Sequence, residues 1–173
     1  MTISPIHHTN ISVTDLDRSI AFYRDALGYR VNMRAPVDRP EFQRYVRVPS
    51  DTTGEMAMLH TGDNPSVGML ELIQWKPPLQ HPTPPKRAGD PGACMIVVEV
   101  KDERLEDVRE RLASHGIAPW SDIIEIPLDG YPPFKGMVIE DPDGMLIELI
   151  QLPTLEEARA YRAQRRAHEQ QPV

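Results

Sequence analysis

Cysteine is nearly absent from this chain: Cys94 is the single one among 173 residues. An intrachain disulfide and a cysteine-pair zinc site are therefore excluded, and the place of Cys94 in the apolar run C-M-I-V-V-E-V makes it a small core residue. Long hydrophobic runs are absent too. The longest, Ala93 to Val98, has six residues, against the roughly 20 that span a bilayer. The N-terminal M-T-I-S-P-I-H-H carries no basic-then-apolar signal, so the expected location is the cytoplasm, away from any membrane. Positive charge is scarce: 19 Lys plus Arg stand against 26 Asp plus Glu, for a net charge of -7. With no basic run to track phosphates, nucleic acid is a poor partner. What is present, 40% apolar and 26% charged residues, suffices for a sizeable core and speaks against global disorder.

A repeat organises what is there. Gly68-Met69-Leu70-Glu71-Leu72-Ile73-Gln74 is echoed, with one Ile added, by Gly144-Met145-Leu146-Ile147-Glu148-Leu149-Ile150-Gln151. Val13-Thr14-Asp15 is echoed by Val100-Lys101-Asp102, each pair following an apolar strand and opening a helical segment that ends at Gly28 or Gly116. In the first helix Leu16, Ile20, Tyr23 and Leu27 form one apolar stripe, with Thr14 and Asp17 approximating a capping box. In the second, Leu105, Val108 and Leu112 are equivalent. Short strands are expected between helix and E-L-I-Q segment, in the first half at Tyr29 to Met33, Gln43 to Val48 and Met56 to His60. Each half thus reads β-α-β-β-β, and the first has about ten residues more than the second between equivalent motifs. The expected organisation is one domain over residues 1–153. Module one spans about 5–75, a proline-rich linker 76–92, module two about 93–151, and a charged helical tail 154–173 forms a surface or dimer contact.

Strand alternation then sorts the faces. His8, Asn10 and Ser12 share one side of the first strand, while Thr9, Ile11 and Val13 share the other, which should meet the helix. Glu71 and Glu148 stand on strands apolar on both faces. A carboxylate buried there costs several kcal/mol without a partner, so each needs a metal, a cation, a hydrogen-bond donor or a raised pKa, unless it points to solvent at a strand end. If the modules pair about a pseudo-twofold axis, His8, Glu71 and Glu148 converge on one cavity, an N/O set suited to a divalent first-row metal.

The segments I-H-H-T-N-I-S-V-T-D-L-D-R-S-I-A-F-Y-R-D-A-L-G-Y, M-L-E-L-I-Q and I-E-D-P-D-G-M-L-I-E-L-I-Q together resemble the vicinal oxygen chelate superfamily, over roughly residues 5 to 151. That superfamily includes glyoxalase I, methylmalonyl-CoA epimerase, extradiol dioxygenases and bleomycin-binding proteins. The resemblance implies an α+β fold in which tandem βαβββ modules form one cup-shaped mixed sheet with helices outside, here followed by a C-terminal helix. It implies metal ligands at His8, Glu71 and Glu148, and places Met95 where the family's enzymes usually have histidine. It implies a divalent cofactor (Zn, Ni, Mn or Fe) acting as Lewis acid, with Glu148 or Glu71 as base, in a lyase or isomerase of the glyoxalase or epimerase kind. The expected partners are a small oxygenated substrate and a second copy of the chain. A metal-free binding protein like the bleomycin-sequestering members is the alternative; an extradiol dioxygenase, which needs the histidine that Met95 replaces, fits less well. Asn10, Ser12, Val97 and Glu99 are expected to face the pocket, with Tyr131 and Phe134 as aromatic walls from a loop at Asp129 to Phe134. His60 is a possible substitute ligand, while His7 and His81 are assigned no role in the site.

Overall fold

In a computed structural model of the chain, residues 5–64, 67–77, 79, 91–92, 95–128 and 130–169 are described, the last three without side chains. Cys94, Asp129, His81 and most of the proline-rich linker lie outside the described residues. The chain divides into two units, Met1–Pro85 and Lys86–Val173.

Module one runs β1 (His8–Ser12), α1 (Leu16–Ala21, continued by a π-helical turn at Phe22–Ala26), β2 (Arg30–Val37), α2 (Pro40–Val46), β3 (Gly54–His60) and β4 (Met69–Trp75). Module two runs β5 (Met95–Glu99), α3 (Leu105–Ser114), β6 (Ile124–Leu128), β7 (Tyr131–Glu140) and β8 (Leu146–Gln151), followed by α4 (Leu155–Glu169). Each module forms a four-stranded sheet, ordered β1-β4-β3-β2 in the first and β5-β8-β7-β6 in the second. First and last strands pair parallel and the other neighbours antiparallel, giving the α+β architecture of tandem βαβββ modules that the repeat predicts.

The repeated glutamine explains how each helix is fixed to its sheet. Gln74 Oε1 accepts from the Leu16 amide at 3.0 Å, while its Nε2 donates to the Thr14 carbonyl at 3.0 Å. Gln151 does the same in module two, accepting from the Leu105 amide at 3.3 Å and donating to the Glu103 carbonyl at 2.8 Å. One side chain thus satisfies an orphan N–H in the first turn and a carbonyl just before it, tying helix start to strand end. Alongside, the amides of Val13 and Val100 donate to Ile73 and Ile150 at 2.9 and 2.7 Å.

Each helix packs its apolar stripe on the sheet, α1 against β3 and β4 and α3 against β7 and β8. Leu105, Val108 and Leu112 are buried as predicted. In module one Leu16, Ile20 and Tyr23 are buried, but Leu27 only partly; Ser19, Phe22 and Ala26 complete the buried face. The π-helical turn is wider than 3.6 residues, so the stripe rotates away from the spacing of a regular helix. The cap also shifts by one residue: the Asp15 carboxylate accepts from the Arg18 amide at 3.0 Å, and Thr14 Oγ1 instead accepts from the Arg18 guanidinium.

Two strand assignments are corrected. Gln43 to Val46 belong to α2, not to a strand: Pro40 occupies the first turn, Gln43 is buried with its Nε2 donating to the Thr52 carbonyl at 2.7 Å, and Arg47 closes the helix in the left-handed region at φ 60. Residues 38–53, between β2 and β3, account for the extra length of module one; β6 and β7 are joined across Asp129 and Gly130. Tyr131 to Phe134, expected in a loop, open β7. The ladder with β8 begins only at Lys135, so Pro132 and Pro133 sit where one side of the strand has no partner, beside a register irregularity. The tail begins in a reciprocal capping box: Glu157 donates its amide to Thr154 Oγ1 at 3.2 Å, and Thr154 donates its amide to Glu157 Oε2 at 2.8 Å.

Candidate functional site

Register decides which side chains share a face. Asn10 pairs with Glu71 across β1 and β4, and Glu71 with Met58 across β4 and β3. His8, Asn10, Ser12, Glu71, Met56 and Met58 therefore stand on one face, opposite Ile11, Leu70 and Leu72, which are buried beneath α1. On that face Asn10 Nδ2 donates to Glu71 Oε2 at 2.9 Å, and His8 Nε2 lies 3.4 Å from the same oxygen. Glu71 is 7% exposed, so this is a carboxylate largely withdrawn from water and held through one oxygen, as its burial requires. Trp75 Nε1 donates to Ser12 Oγ at 3.3 Å at the far end of the row. A cavity of about 150 Å³ opens beside Glu71, lined by Ala35, Val37, Phe42 and Met56 and bordered also by Asp38 and Arg39.

Module two repeats the register with different chemistry. Val97 pairs with Glu148 as Asn10 pairs with Glu71, and Met95 pairs with Leu146 as His8 pairs with Met69. Met95 thus holds the position equivalent to His8, and Glu148 has an apolar neighbour in place of an amide donor. Glu148 is half-buried and has no hydrogen-bond or ion-pair partner among the described residues. A Cβ at Gly136 would stand 3.1 Å from Ile126 Cδ1 and 3.5 Å from Glu148 Oε1, so the glycine lets both side chains lie close against β7. Phe134 lies on the Glu148 face through its place in β7. Tyr131, beyond the register irregularity, is 61% exposed, and Glu99 is exposed with Lys101 Nζ 3.1 Å away.

Two side chains that sequence reasoning left out belong to the module-one site. His7 Nδ1 and His8 Nδ1 are 2.8 Å apart, one donating to the other, so His7 helps set which His8 nitrogen carries its proton. His7 precedes β1, where strand alternation does not govern direction. Phe42 stacks on Trp75 with centroids 6.4 Å apart and planes 24° apart; only the helical reading of α2 would have revealed it. His60 lies on the Glu71 face by register, with its Nδ1 buried and lacking a hydrogen-bond partner.

The depressed carboxylates of the chain are structural. The Lys135 ammonium, 2.7 Å away, holds the Glu106 carboxyl down to about 2, helped by its own backbone amide. Arg111 lowers Glu103, and Arg34 lowers Glu55. Glu106 borders a larger cavity of about 550 Å³ between α4 and the face of β7 opposite Glu148, where Lys135 and Glu106 are already paired.

For a metal, an imidazole nitrogen and a carboxylate oxygen 3.4 Å apart on a rigid parallel pair fit two donor positions for a borderline first-row ion. Among the described residues no group of three or more His, Cys, Asp or Glu side chains is close enough to hold one. The described residues include no helix long and apolar enough to cross a membrane.

Known proteins agree with this fold. A 2-epi-5-epi-valiolone epimerase from Actinomyces sp is 29% identical over 154 residues, covering 86% of this chain and 79% of that protein. A glyoxalase family protein from Bacillus cereus shares the fold with TM-score 0.74 at 20% identity, over 87% of this chain and 95% of that one. The trypanothione-dependent glyoxalase I of Leishmania major matches with TM-score 0.56 at 26% identity, over 97% of this chain and 98% of that one. Residues 5–149 match the family model itself, and the chain belongs to the Glyoxalase/Bleomycin resistance protein/Dioxygenase superfamily.

Proposed function

We propose that this chain is a lyase or isomerase of the glyoxalase or epimerase kind, moving a proton on a carbon beside an oxygen function of a small substrate. The observation that carries the reading is the His8, Asn10 and Glu71 cluster: a carboxylate 7% exposed, anchored through one oxygen and facing an open cavity. Asn10 fixes Glu71 Oε2, leaving Oε1 with no hydrogen bond among the described residues. The apolar side chains beside Glu71 reduce its hydration, which strengthens its interaction with a developing charge. Glu148, unpartnered among the described residues at the equivalent register of module two, is proposed as the alternative base. His8 and Glu71 would supply two donors to a divalent ion (Zn, Ni, Mn or Fe), which supplies Lewis-acid polarisation of the substrate oxygen when bound. The similarity to an epimerase and to a glyoxalase I supports this class of chemistry. A homodimer acting in the cytoplasm completes the proposal.

Incubating the protein with carbonyl compounds and thiol hemiacetals in D₂O, with each divalent ion in turn, tests the reaction. Deuterium should appear on the carbon next to the carbonyl and vanish with Glu71→Gln. Met95 favours a second reading, a metal-free binding protein, because a thioether is a weak ligand where the family's enzymes usually place histidine. Saturable ligand binding with no exchange under any metal would establish that reading and overturn the first.

A further inference from the structure

Module one and module two share a strand register, yet only module one carries α2, inserted between β2 and β3. The insertion is anchored from within: buried Gln43 donates to the Thr52 carbonyl, and Phe42 stacks on Trp75 of β4. It brings Phe42 onto the face that holds Glu71, where Phe42, Ala35, Val37 and Met56 form the apolar part of the lining of the open cavity of about 150 Å³. A cavity of about this size holds one six-membered ring. Most of the lining is carbon and thioether; Glu71 reaches in from the sheet, and the exposed Asp38 and Arg39 also border the cavity.

We propose that α2 is the substrate-selecting insertion of this chain, and that the compartment it closes beside Glu71 takes an apolar, ring-sized group of the substrate in preference to a polyhydroxylated one. The inference rests on the reading of the Glu71 face as the substrate site. Its physical basis is desolvation. Each hydroxyl brought against Ala35, Val37, Phe42 and Met56 gives up water without gaining a partner there, whereas a hydrocarbon ring gains contact with all four. Glu71, at the edge of the compartment, then meets the carbon that joins the ring to the oxygen function. Phe42 is a specificity-determining residue under this assignment.

Acetophenone and pentahydroxycyclohexanone serve as ring-sized ketone probes, titrated into full-length protein labelled with [¹³C-methyl]methionine. The Met56 methyl resonance, assigned with Met56→Leu, and Trp75 fluorescence report binding. Acetophenone should shift the Met56 methyl saturably, and the polyhydroxylated ketone should bind about 100-fold more weakly. Phe42→Ala removes a wall and Ala35→Leu fills the space; each should weaken acetophenone by about tenfold or more. Equal or tighter binding of the polyhydroxylated ketone, absence of acetophenone binding, or indifference to both variants would overturn the assignment. A divalent-metal titration of the same samples separates the two ideas. Missing metal uptake with intact ring binding counts against the metal reading alone, and metal uptake with no ring binding counts against the compartment alone.

Discussion

Replacing Glu71 with glutamine separates a site carboxylate from a structural one. The two side chains have nearly the same shape, so no cavity forms. In the metal-free protein the carboxylate is 7% exposed and accepts one amide hydrogen bond at 2.9 Å, with His8 Nε2 3.4 Å away. A hydrogen bond to a charged group contributes about 1.5–3 kcal/mol and a neutral one about 0.5–1.5, so the variant gives up about 1 kcal/mol there. The His8 contact, at 3.4 Å longer than an ordinary hydrogen bond, adds little. Against this stands the cost of withdrawing a charge from water, several kcal/mol even after relaxation, compared with about 1–3 for a neutral amide. The balance favours Glu71→Gln by about 1 kcal/mol, which for a chain of this size raises Tm by about 2–4 °C. Urea and thermal unfolding in the presence of chelator, at pH near 8, measure it. A destabilisation greater than about 2 kcal/mol would refute the reasoning, because Glu71 would then be holding the fold together.

Other consequences follow from the same geometry. A Cβ at Gly54 would lie 2.6 Å from the Gln74 carbonyl oxygen and 3.3 Å from Trp75 Cα. Gly54→Ala should therefore cost about 1–3 kcal/mol in urea unfolding, and an unchanged midpoint would mean the β3–β4 end yields freely. Glu106 is held down to about 2 by Lys135, so the stability this pair gives is complete above the unfolded carboxyl range and is lost as pH falls through that range toward 2. Lys135→Met should flatten the acid limb of the stability profile, and equal slopes for parent and variant would contradict the pairing. Met95 holds the register equivalent of His8; Met95→His should tighten divalent-metal binding on the order of tenfold, measured by competition with a chelating dye, and unaltered affinity would remove Met95 from the ligand set.

The repeat made the β-α-β-β-β succession of each module and the shared face of His8 and Asn10 readable, because period-two alternation needs only correct strand placement. It also marked Gln74 and Gln151 as equivalent. Their shared task of pinning a helix start is a three-dimensional contact that no spacing rule announces. Q-R-Y-V-R-V alternates like a strand, and that concealed α2 and with it Phe42; the deciding facts were Pro40 in the first turn and the buried Gln43 bond. Tyr131-Pro132-Pro133-Phe134 reads as a loop because proline breaks central ladders, yet this end of β7 pairs on one side only. Thr14 and Asp15 are adjacent and both can cap, so local pattern could not choose between them.

The most direct measurement is the metal content of protein purified without an affinity tag or added metal, by elemental mass spectrometry. Titration of the chelated form with Zn²⁺, Ni²⁺, Mn²⁺ and Fe²⁺ extends it to Glu71→Gln and Glu148→Gln. The account predicts near-stoichiometric uptake by the parent protein and its loss in folded Glu71→Gln. Uptake unchanged by that substitution, or no response to any ion, would contradict it.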